Sequence, residues 1–525
     1  MPLGIELAAA FVHAYPLAHI AQQIETNLDF LTTTMRDVPA ARTSLRAVFE
    51  YSWNRLSAEE RAALARLAVF RDGCTETAAR AVGVWSPALI GLVNKFLLQR
   101  AASGRYLMLE TVRQFAAEKL GENQQEEQTT RERHAGYYAE FLHARVEGLK
   151  RGDASTLTQV IEEIENVRAA WLWASATHQV ALLAQAMDGL AHLYEMRNWF
   201  QEGEAMLAQA VQALSTPPAF ASPEGQRTRG RALTWQGMFA LRLARYPQAH
   251  ALAQAGLEIA RTLNQSSDMA FALNVLGNAA DRTGNLQDAI AFYRQAVTLA
   301  REVGEVWEIA RSLNNLGWEL YLHGEYDEAQ TALDESLALR RQVQDKPGIA
   351  RTLINQGLVA VELGQFSQAE QCYRESMAIF QELDIRMGVA ICLNNLGFAA
   401  YCQKQYAQAR ELYQQGLVLR QELGDRWGMA IALDNLGTVA CDRRLRPRAR
   451  PSARRAPDGC GSSVGAPYGR DTGECGNTVG KGRALRSRRR VVGGGIGASR
   501  PGQPIQNAGT NARARIASHA TARGL

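Results

Sequence analysis

The chain of 525 residues lacks the apolar runs and metal-ligand patterns that mark several protein classes. No apolar stretch reaches the roughly 18 residues that a membrane-spanning helix needs. The N-terminus has no basic segment of the kind that opens a signal peptide. Seven cysteines show no C-x-x-C spacing, and nine histidines show neither H-x3-H nor H-E-x-x-H. We therefore expect a cytoplasmic protein with reduced thiols, no metal site and no membrane partner.

The sequence also lacks the signatures of catalysis. No G-x4-G-K-[ST] phosphate loop occurs in it. The nearest imitation, 476-GNTVGKG-482, is one residue short between its glycines and has Gly482 where a Mg²⁺-binding hydroxyl belongs. Glu162, Glu163 and Glu165 are expected to form a solvated helix face rather than a catalytic carboxylate pair. We predict a non-enzyme that needs no cofactor.

Charge is distributed very unevenly along the chain. The net charge is +5, but residues 442–525 hold 18 basic and 4 acidic residues. The remaining 441 residues therefore hold 40 basic and 49 acidic residues, a net charge of −9. The excess of basic residues is confined to the C-terminal segment. The net negative charge of the rest of the chain does not favour nucleic-acid binding there.

What the sequence does contain is a helical phrase that closes on glycine every 40 residues. The phrases ALNVLG, SLNNLG, TLINQG, CLNNLG and ALDNLG end at Gly277, Gly317, Gly357, Gly397 and Gly437, and a weaker copy ends at Gly237. An aromatic residue or leucine and then an alanine come after each glycine at a fixed offset, as in Tyr326 and Ala329. Such a period predicts stacked supersecondary units, because one unit cannot bury its own apolar face.

The residues of one unit predict a pair of antiparallel helices. Leu313, Leu316 and Leu320 share one helix face. Gly317 lies inside that helix, where glycine costs about 1 kcal/mol relative to alanine, and it is tolerable where a second helix approaches closely. Gly324 suits the end of the first helix. The unit resembles the tetratricopeptide repeat, with a first helix A and a second helix B, although the usual period is roughly 34 residues.

The N-terminal part carries a second resemblance. The opening 1-MPLGIELAAA-10 looks like a phrase of STAND-type ATPases, the nucleotide-switched regulators that include LuxR/MalT-like bacterial activators. Segments 36–70 and 89–120 are similar to the next segments of those proteins, the second to the end of their winged-helix subdomain. The resemblance implies that Pro2 matches a proline lining their nucleotide pocket. It also implies that this chain is the C-terminal part of such a regulator, with the P-loop portion missing.

These observations predict a predominantly all-α fold with a helical and winged-helix N-terminal region, an α-solenoid and a disordered tail. The expected parts are a remnant of an ATPase helical subdomain (1–40), a winged-helix-like domain (41–122), a helical linker (123–180), a repeat solenoid (181–443) and an Arg/Gly-rich tail (444–525).

Two interpretations of the tail remain open. It is either a disordered cationic arm that binds an acidic partner, or the product of a frame shift. Under G/C-rich codons, a shift by one base after Arg443 yields G-D-Y-A-R-A-R, which matches the Tyr and Ala positions of 397-GFAAYCQKQYAQAR-410.

Partner recognition is predicted on the concave face of the repeats. Asn315, Asn355, Asn395 and Asn435 recur one period apart, and their amides could bond an extended peptide. Arg311 and Arg351 could pair with acidic groups of a ligand. The alternative is that the asparagines bond between neighbouring helices of the stack.

This organisation is compatible with two functions. The first is a non-catalytic sensor of a STAND-type regulator that binds a protein, a peptide or a small effector. The second is a transcriptional regulator that binds DNA through the winged helix, although the helix around 86–96 offers only Asn94 and Lys95 as polar contacts.

Overall fold

The computed structural model describes residues 16, 18–19, 44–217 and 221–444. Pro2 and nearly all of the predicted segments 1–40 and 444–525 lie outside the described residues. The residues that the frame-shift hypothesis concerns lie outside them too.

The first described part is a small helical region with one hairpin. Its elements are α1 (Leu45–Asn54), α2 (Ala58–Leu67), α3 (Glu76–Ala81), α4 (Ser86–Asn94), β1 (Gln99–Arg100), β2 (Tyr106–Leu107) and α5 (Glu110–Gly121). The strands pair antiparallel, with Gln99 opposite Leu107 and Arg100 opposite Tyr106. A helix, a short hairpin and a further helix follow one another in this part of the chain, where the sequence resembles the end of a winged-helix subdomain.

Local sequence accounts for the start of α2. The Ser57 hydroxyl accepts from the backbone N–H of Glu60, and the Glu60 carboxylate accepts from the backbone N–H of Ser57. This reciprocal capping box satisfies two amides that would otherwise lack a partner at the helix start. Leu64 and Leu67 then turn inward and are almost completely buried.

Longer helices connect this region to the repeats. They are α6 (Gln124–His143), α7 (Val146–Arg151), α8 (Ala154–Glu162), α9 (Ile164–Ala176), α10 (Val180–Met196) and α11 (Phe200–Ala213). Gly152 ends α7 in the left-handed conformation, with φ of 73°, which turns the chain sharply into α8.

The repeats form the rest of the described chain. Their helices are α12 (Pro223–Arg242), α13 (Tyr246–Thr262), α14 (Ser266–Thr283), α15 (Leu286–Val303), α16 (Val306–His323), α17 (Tyr326–Val343), α18 (Lys346–Glu362), α19 (Phe366–Glu382), α20 (Arg386–Cys402), α21 (Tyr406–Leu423) and α22 (Arg426–Arg444). Even-numbered helices are the A helices of their pairs and odd-numbered helices are the B helices. The predicted fold class is confirmed over the described ranges.

The glycine column lies at the contact between helices A and B. A Cβ atom at Gly357 of α18 would overlap Cε1 of Tyr373 in α19. Gly277 and Gly397 meet Tyr293 and Tyr413 in the same way, with ring atoms 2.6 and 2.7 Å from the position of a Cβ. These tyrosine rings are almost completely buried, so each fills the space that a side chain at the glycine would need.

Ion pairs on the outer surface join successive B helices. Arg294 pairs with Glu328 at 2.8 Å, Arg301 with Glu335 at 2.6 Å and Arg341 with Glu375 at 2.7 Å. All of these side chains are about half exposed, so each pair contributes roughly 0–1 kcal/mol. The stack is therefore held mainly by its buried faces.

We expect Gly357→Ala to lower the free energy of unfolding by about 1–3 kcal/mol, because Tyr373 is enclosed and cannot move away from the new methyl group. Gly437 occupies the same repeat position, but a Cβ there meets no described atom within 4 Å. Gly437→Ala is the matched control and should be neutral or stabilising by up to about 1 kcal/mol. Denaturant unfolding of both variants measures the difference, and equal stabilities would contradict the packing role of the glycine column.

Candidate ligand-binding cavity

A cavity of about 520 Å³ lies along the A helices of the repeats. Residues of α10, α12, α14, α16 and α18 line it, together with α7, the turn into α8 and the turn at Leu383–Ile385. Because each repeat contributes one A helix, the stacking of repeats alone creates this inner channel. The linker helices then form its remaining wall.

The lining of the cavity is strongly cationic. Its charged side chains are Lys150, Arg197, Arg242, Arg282, Arg311, Arg340 and Arg351 on the basic side, and Glu195 and Asp384 on the acidic side. Glu195 is paired with Arg242 at 2.8 Å. An excess of cations in a concave site attracts anions, since low-dielectric walls strengthen the interaction.

Arg311 is held by an ion pair and two aromatic rings. Its Nη2 donates to Oε1 of Glu308 at 2.5 Å, and its guanidinium lies 5.0 Å from the Trp307 ring centroid and 4.8 Å from that of Phe271. The buried Nε of Arg311 has no hydrogen-bond acceptor among the described residues, and neither has the buried Nε1 of Trp307. Arg311 and Trp307 thus each keep one buried N–H donor that has no acceptor among the described residues.

Arg340 is a buried cation that caps the next helix through Asp345. Its Nη1 donates to Oδ2 of Asp345 at 2.5 Å, and Asp345 accepts from the backbone N–H of Gly348 at 2.8 Å. A Cβ at Gly348 would overlap the Arg340 guanidinium, so glycine is required for this approach. Burial lowers the pKa of Arg340, Asp345 opposes that shift, and the positive charges of Arg351 and Arg311 add to it.

Helix α7 and its terminal turn close one side of the cavity. Lys150 Nζ lies 5.4 Å from the centroid of the Trp307 ring. At the turn, the position of a Cβ on Gly152 would be 2.6 Å from Cγ of Pro347 and 3.8 Å from Cδ2 of Leu383. A chain segment that precedes the repeats therefore contacts α18 and the turn before α20, and it encloses the channel.

His192 lies buried in the same wall and stays neutral. Its ring meets Trp235 and Trp307 edge-on, with centroids 5.0 and 5.7 Å apart. Burial lowers the pKa of His192 to about 4, although Glu195 and Asp188 partly oppose the shift. This histidine therefore adds no positive charge to the cavity at neutral pH.

The predicted site residues separate into two groups. Arg311, Arg351 and Asn315 come together in the cavity lining. Asn355, Asn395 and Asn435 do not line it and are at most 2% exposed. The arginines and one asparagine therefore share one cavity, whereas the other asparagines lie inside the stack.

The asparagines form a ladder between repeats. Nδ2 of Asn355 donates to Oδ1 of Asn314 in the preceding repeat at 3.2 Å. Asn315 bonds Asn274 at 3.3 Å and Asn435 bonds Asn394 at 2.9 Å in the same manner. The ladder is interrupted at Asn395, whose buried Nδ2 has no acceptor among the described residues, because Ile354 stands at the acceptor position. These hydrogen bonds correspond to the alternative stated from the sequence, in which the asparagines bond between neighbouring helices of the stack.

Sequence reasoning missed Arg340 and the contribution of α7. A signal for Arg340 was available, because Arg420 and Asp425 repeat the pair Arg340 and Asp345 two periods later. The second pair also bonds, at 3.1 Å. No sequence pattern pointed to α7, since its place in the wall depends on a contact between distant segments.

The expectation for Glu163 is wrong. This carboxylate is 5% exposed and bonds Arg105, the Tyr138 hydroxyl at 2.8 Å and Nδ2 of Asn166 at 2.9 Å. Asn166 also bonds the Gly73 carbonyl at 3.0 Å. Glu163 therefore ties the hairpin region to α6 and α9, a structural role that its acidic sequence neighbours concealed.

The exposed surface of α4 and its following turn is mainly apolar. Trp85 is 60% exposed, Ile90 55% and Phe96 89%. Of the two polar candidates for base contacts, Lys95 is bonded to Glu60 at 2.5 Å and Asn94 is exposed. This surface carries little of the positive charge and few of the donors that a DNA-reading helix uses.

Over the described ranges, no cluster of three or more His, Cys, Asp or Glu residues could hold a metal ion. Within the same ranges, no helix is long and apolar enough to cross a membrane.

Family comparisons identify the repeats. A tetratricopeptide repeat model matches residues 228–302 and 308–382, and a second one matches residues 389–423. The chain therefore carries tetratricopeptide repeats, as the 40-residue period predicted.

Relatives are found among bacterial transcription factors. Proteins of Mycobacterium tuberculosis and Mycobacterium bovis that are predicted HTH-type transcriptional regulators are 30% identical over 300 residues, covering 53% of this chain and 32% of each relative. The chain thus spans about a third of the length of these relatives. The predicted relationship to bacterial transcriptional regulators is confirmed at this level.

Solved structures of similar fold are more distant in sequence. A STAND protein with a tetratricopeptide repeat sensor from Pyrococcus horikoshii has a TM-score of 0.47 at 14% identity, over 83% of this chain and 68% of that one. The apo quorum sensor NprR of B. thuringiensis has a TM-score of 0.40 at 14% identity, over 59% and 82%.

We expect stability to fall as the pH decreases from about 6.5 to 4, because the unfolded chain binds a proton at His192 that the folded chain rejects until about pH 4. The loss is at most about 1.4 kcal/mol per pH unit for one histidine. His192→Gln should reduce the slope but not abolish it, because the pKa of buried His134 is also lowered, to about 3. Urea midpoints across this range measure how the free energy of unfolding depends on pH, and His250→Gln, at an exposed histidine, is the control. Equal pH dependence in the two variants would contradict the role given to His192.

Asn314→Ile should destabilise the fold by about 1–3 kcal/mol, because it removes the acceptor for Asn355 Nδ2 and for Thr352 Oγ1, which lies at 3.0 Å. Adding Asn355→Leu should recover part of the loss, since a donor that has been removed no longer needs an acceptor. A double-mutant cycle by chemical denaturation measures the coupling free energy between Asn314 and Asn355. Strictly additive effects would show that the two asparagines are not coupled.

Proposed function

We propose that this chain is the sensor part of a transcriptional regulator and that it binds an effector in the inner channel of its repeats, without catalysis. The effector is a protein segment, a peptide or a small molecule. The proposal assigns the protein to the cytoplasm, where regulators of transcription act. The regulator type favoured by the resemblance of the N-terminal part is the STAND type.

The cationic cavity is the observation that carries the proposal. Arg311 and Arg351, one period apart in sequence, line it beside Arg340. Glu308 neutralises Arg311 and Asp345 neutralises Arg340, but basic side chains still outnumber acidic ones in the lining. This excess of positive charge in a concave site favours a ligand of opposite charge.

Further support comes from the way the cavity is built. Its walls come from four A helices of the repeats and from the linker helices α7 and α10, which precede the repeats. A ligand here touches several repeats and the linker at once. Its binding energy therefore favours one arrangement of these parts over others, which is what a sensor requires.

DNA binding through α4 and the hairpin is the second candidate, and the apolar surface of Trp85, Ile90 and Phe96 does not favour it. A salt-dependent DNA complex would support this candidate, since phosphate contacts release counterions.

The test is retention of an effector by the full chain. The protein is incubated with deproteinised small-molecule and peptide fractions from the source cells, and bound species are identified by native mass spectrometry. Asn315→Trp places a bulky ring in the channel, while Thr298→Trp places the same ring on the exposed outer surface of α15. We expect Asn315→Trp to reduce occupancy by about tenfold, equivalent to about 1.4 kcal/mol, and Thr298→Trp to leave it unchanged.

Equal occupancy in the two variants would place the effector outside the channel. Retention of DNA with no species from either fraction would favour the second candidate instead.

A further inference from the structure

We propose that the cavity takes a small organic anion, whose carboxylate or phosphate group is bound by Arg311 and Arg351 and enclosed by Lys150 of α7. This inference rests on the proposed function and adds to it the chemical class of the effector.

Two donors without acceptors point to an anion. Nε of Arg311 and Nε1 of Trp307 are buried and lack partners among the described residues, and both residues line the cavity. Buried polar groups are nearly always hydrogen-bonded. Both nitrogens have less than 1 Å² of accessible surface, so the two side chains must shift slightly before a ligand reaches these donors. An anion has only acceptor atoms at its charged end and is the ligand that then satisfies them.

Two of the arginines pair with carboxylates outside the lining of this cavity. Glu308 pairs with Arg311 and Asp345 pairs with Arg340, and neither carboxylate belongs to the lining, although Glu308 lines an adjoining pocket together with Arg311 and Lys150. An anion in this cavity therefore meets more basic than acidic side chains, and the almost completely buried Arg340 adds its charge to those of Arg311 and Arg351.

The size of the cavity suits a small molecule. About 520 Å³ falls within the roughly 300–1,000 Å³ of small-molecule sites. Met196, Met238 and Leu241 of α10 and α12 also belong to the lining, which gives it an apolar part beside the charged one. An anion with an apolar body satisfies both parts, and this favours a small organic anion over a long acidic segment.

Helix α7 closes the cavity over the bound group. Lys150 reaches the Trp307 ring, and the turn at Gly152 packs against Pro347 and Leu383. A ligand on Arg311 and Arg351 therefore lies beneath a segment that connects the repeats to the N-terminal helices. Lys150 adds a third cationic side chain, which lies near the same Trp307 ring as Arg311.

The experiment uses the full chain and three probes at constant ionic strength: citrate for carboxylates, pyrophosphate for phosphates, and trehalose as a neutral molecule. Isothermal titration calorimetry and thermal melts are measured for wild type, Arg311→Gln, Arg351→Gln and Lys150→Gln. Arg301→Gln is the matched control, because Arg301 is an arginine in an ion pair on the outer surface. Arg311→Lys retains the positive charge and removes the planar set of guanidinium donors.

We expect saturable binding of citrate or pyrophosphate, a higher melting temperature with that probe, and no effect of trehalose. Arg311→Gln and Arg351→Gln should each weaken binding by about tenfold or more, since a charged hydrogen bond contributes this much. Lys150→Gln should weaken it less, Arg311→Lys should be intermediate, and Arg301→Gln should equal wild type. Preference for citrate or for pyrophosphate decides between the two anion chemistries.

The proposal is overturned if neither anion binds at millimolar concentration, or if Arg301→Gln weakens binding as much as Arg311→Gln. It is also overturned if the channel retains a neutral molecule or a long acidic peptide and excludes both small anions. In that last case the proposed sensor function stands and only the ligand class is wrong. Melting curves of the variants without probe show whether each one is folded.

Discussion

The contact between a glycine in helix A and a large side chain in helix B determines the geometry of the repeats. At Gly357 the Tyr373 ring occupies the space of the missing side chain. Leu333 takes the same position against Gly317, with its Cγ 2.6 Å from where a Cβ would lie. Where repeats share this contact, helices A and B of each pair approach to a similar distance. Each A helix then has a similar position relative to the A helix of the preceding repeat. The inner channel is a consequence of that constancy.

Polar interactions add specificity to this apolar framework. The asparagine ladder joins A helices to the preceding ones inside the stack, where an unpaired amide would be costly. Arg340 and Asp345 link the end of one repeat to the start of the next by bonding the Gly348 amide. Such groups fix the register of the stack, and in the case of Arg340 they also bring a positive charge to the channel wall.

The fold and part of the candidate site could be predicted from the residues alone. The 40-residue period indicated the helix pairs, and equal spacing put Arg311 and Arg351 on one wall. The same spacing suggested that all four asparagines face the channel, but only Asn315 lines it. A period along the sequence puts residues in one row and does not show how far along that row a cavity extends. Glu163 and Lys150 could not be assigned because their partners lie far away in sequence.

Hydrogen exchange of the full chain with and without its effector, resolved to peptides, tests most directly whether the channel is the binding site. Binding in the channel predicts slower exchange in residues 146–151, 306–315 and 346–351, which include Lys150, Arg311 and Arg351 of its walls. Protection confined to the outer helices at 286–303 and 366–382, or to the hairpin region at 86–107, would contradict it.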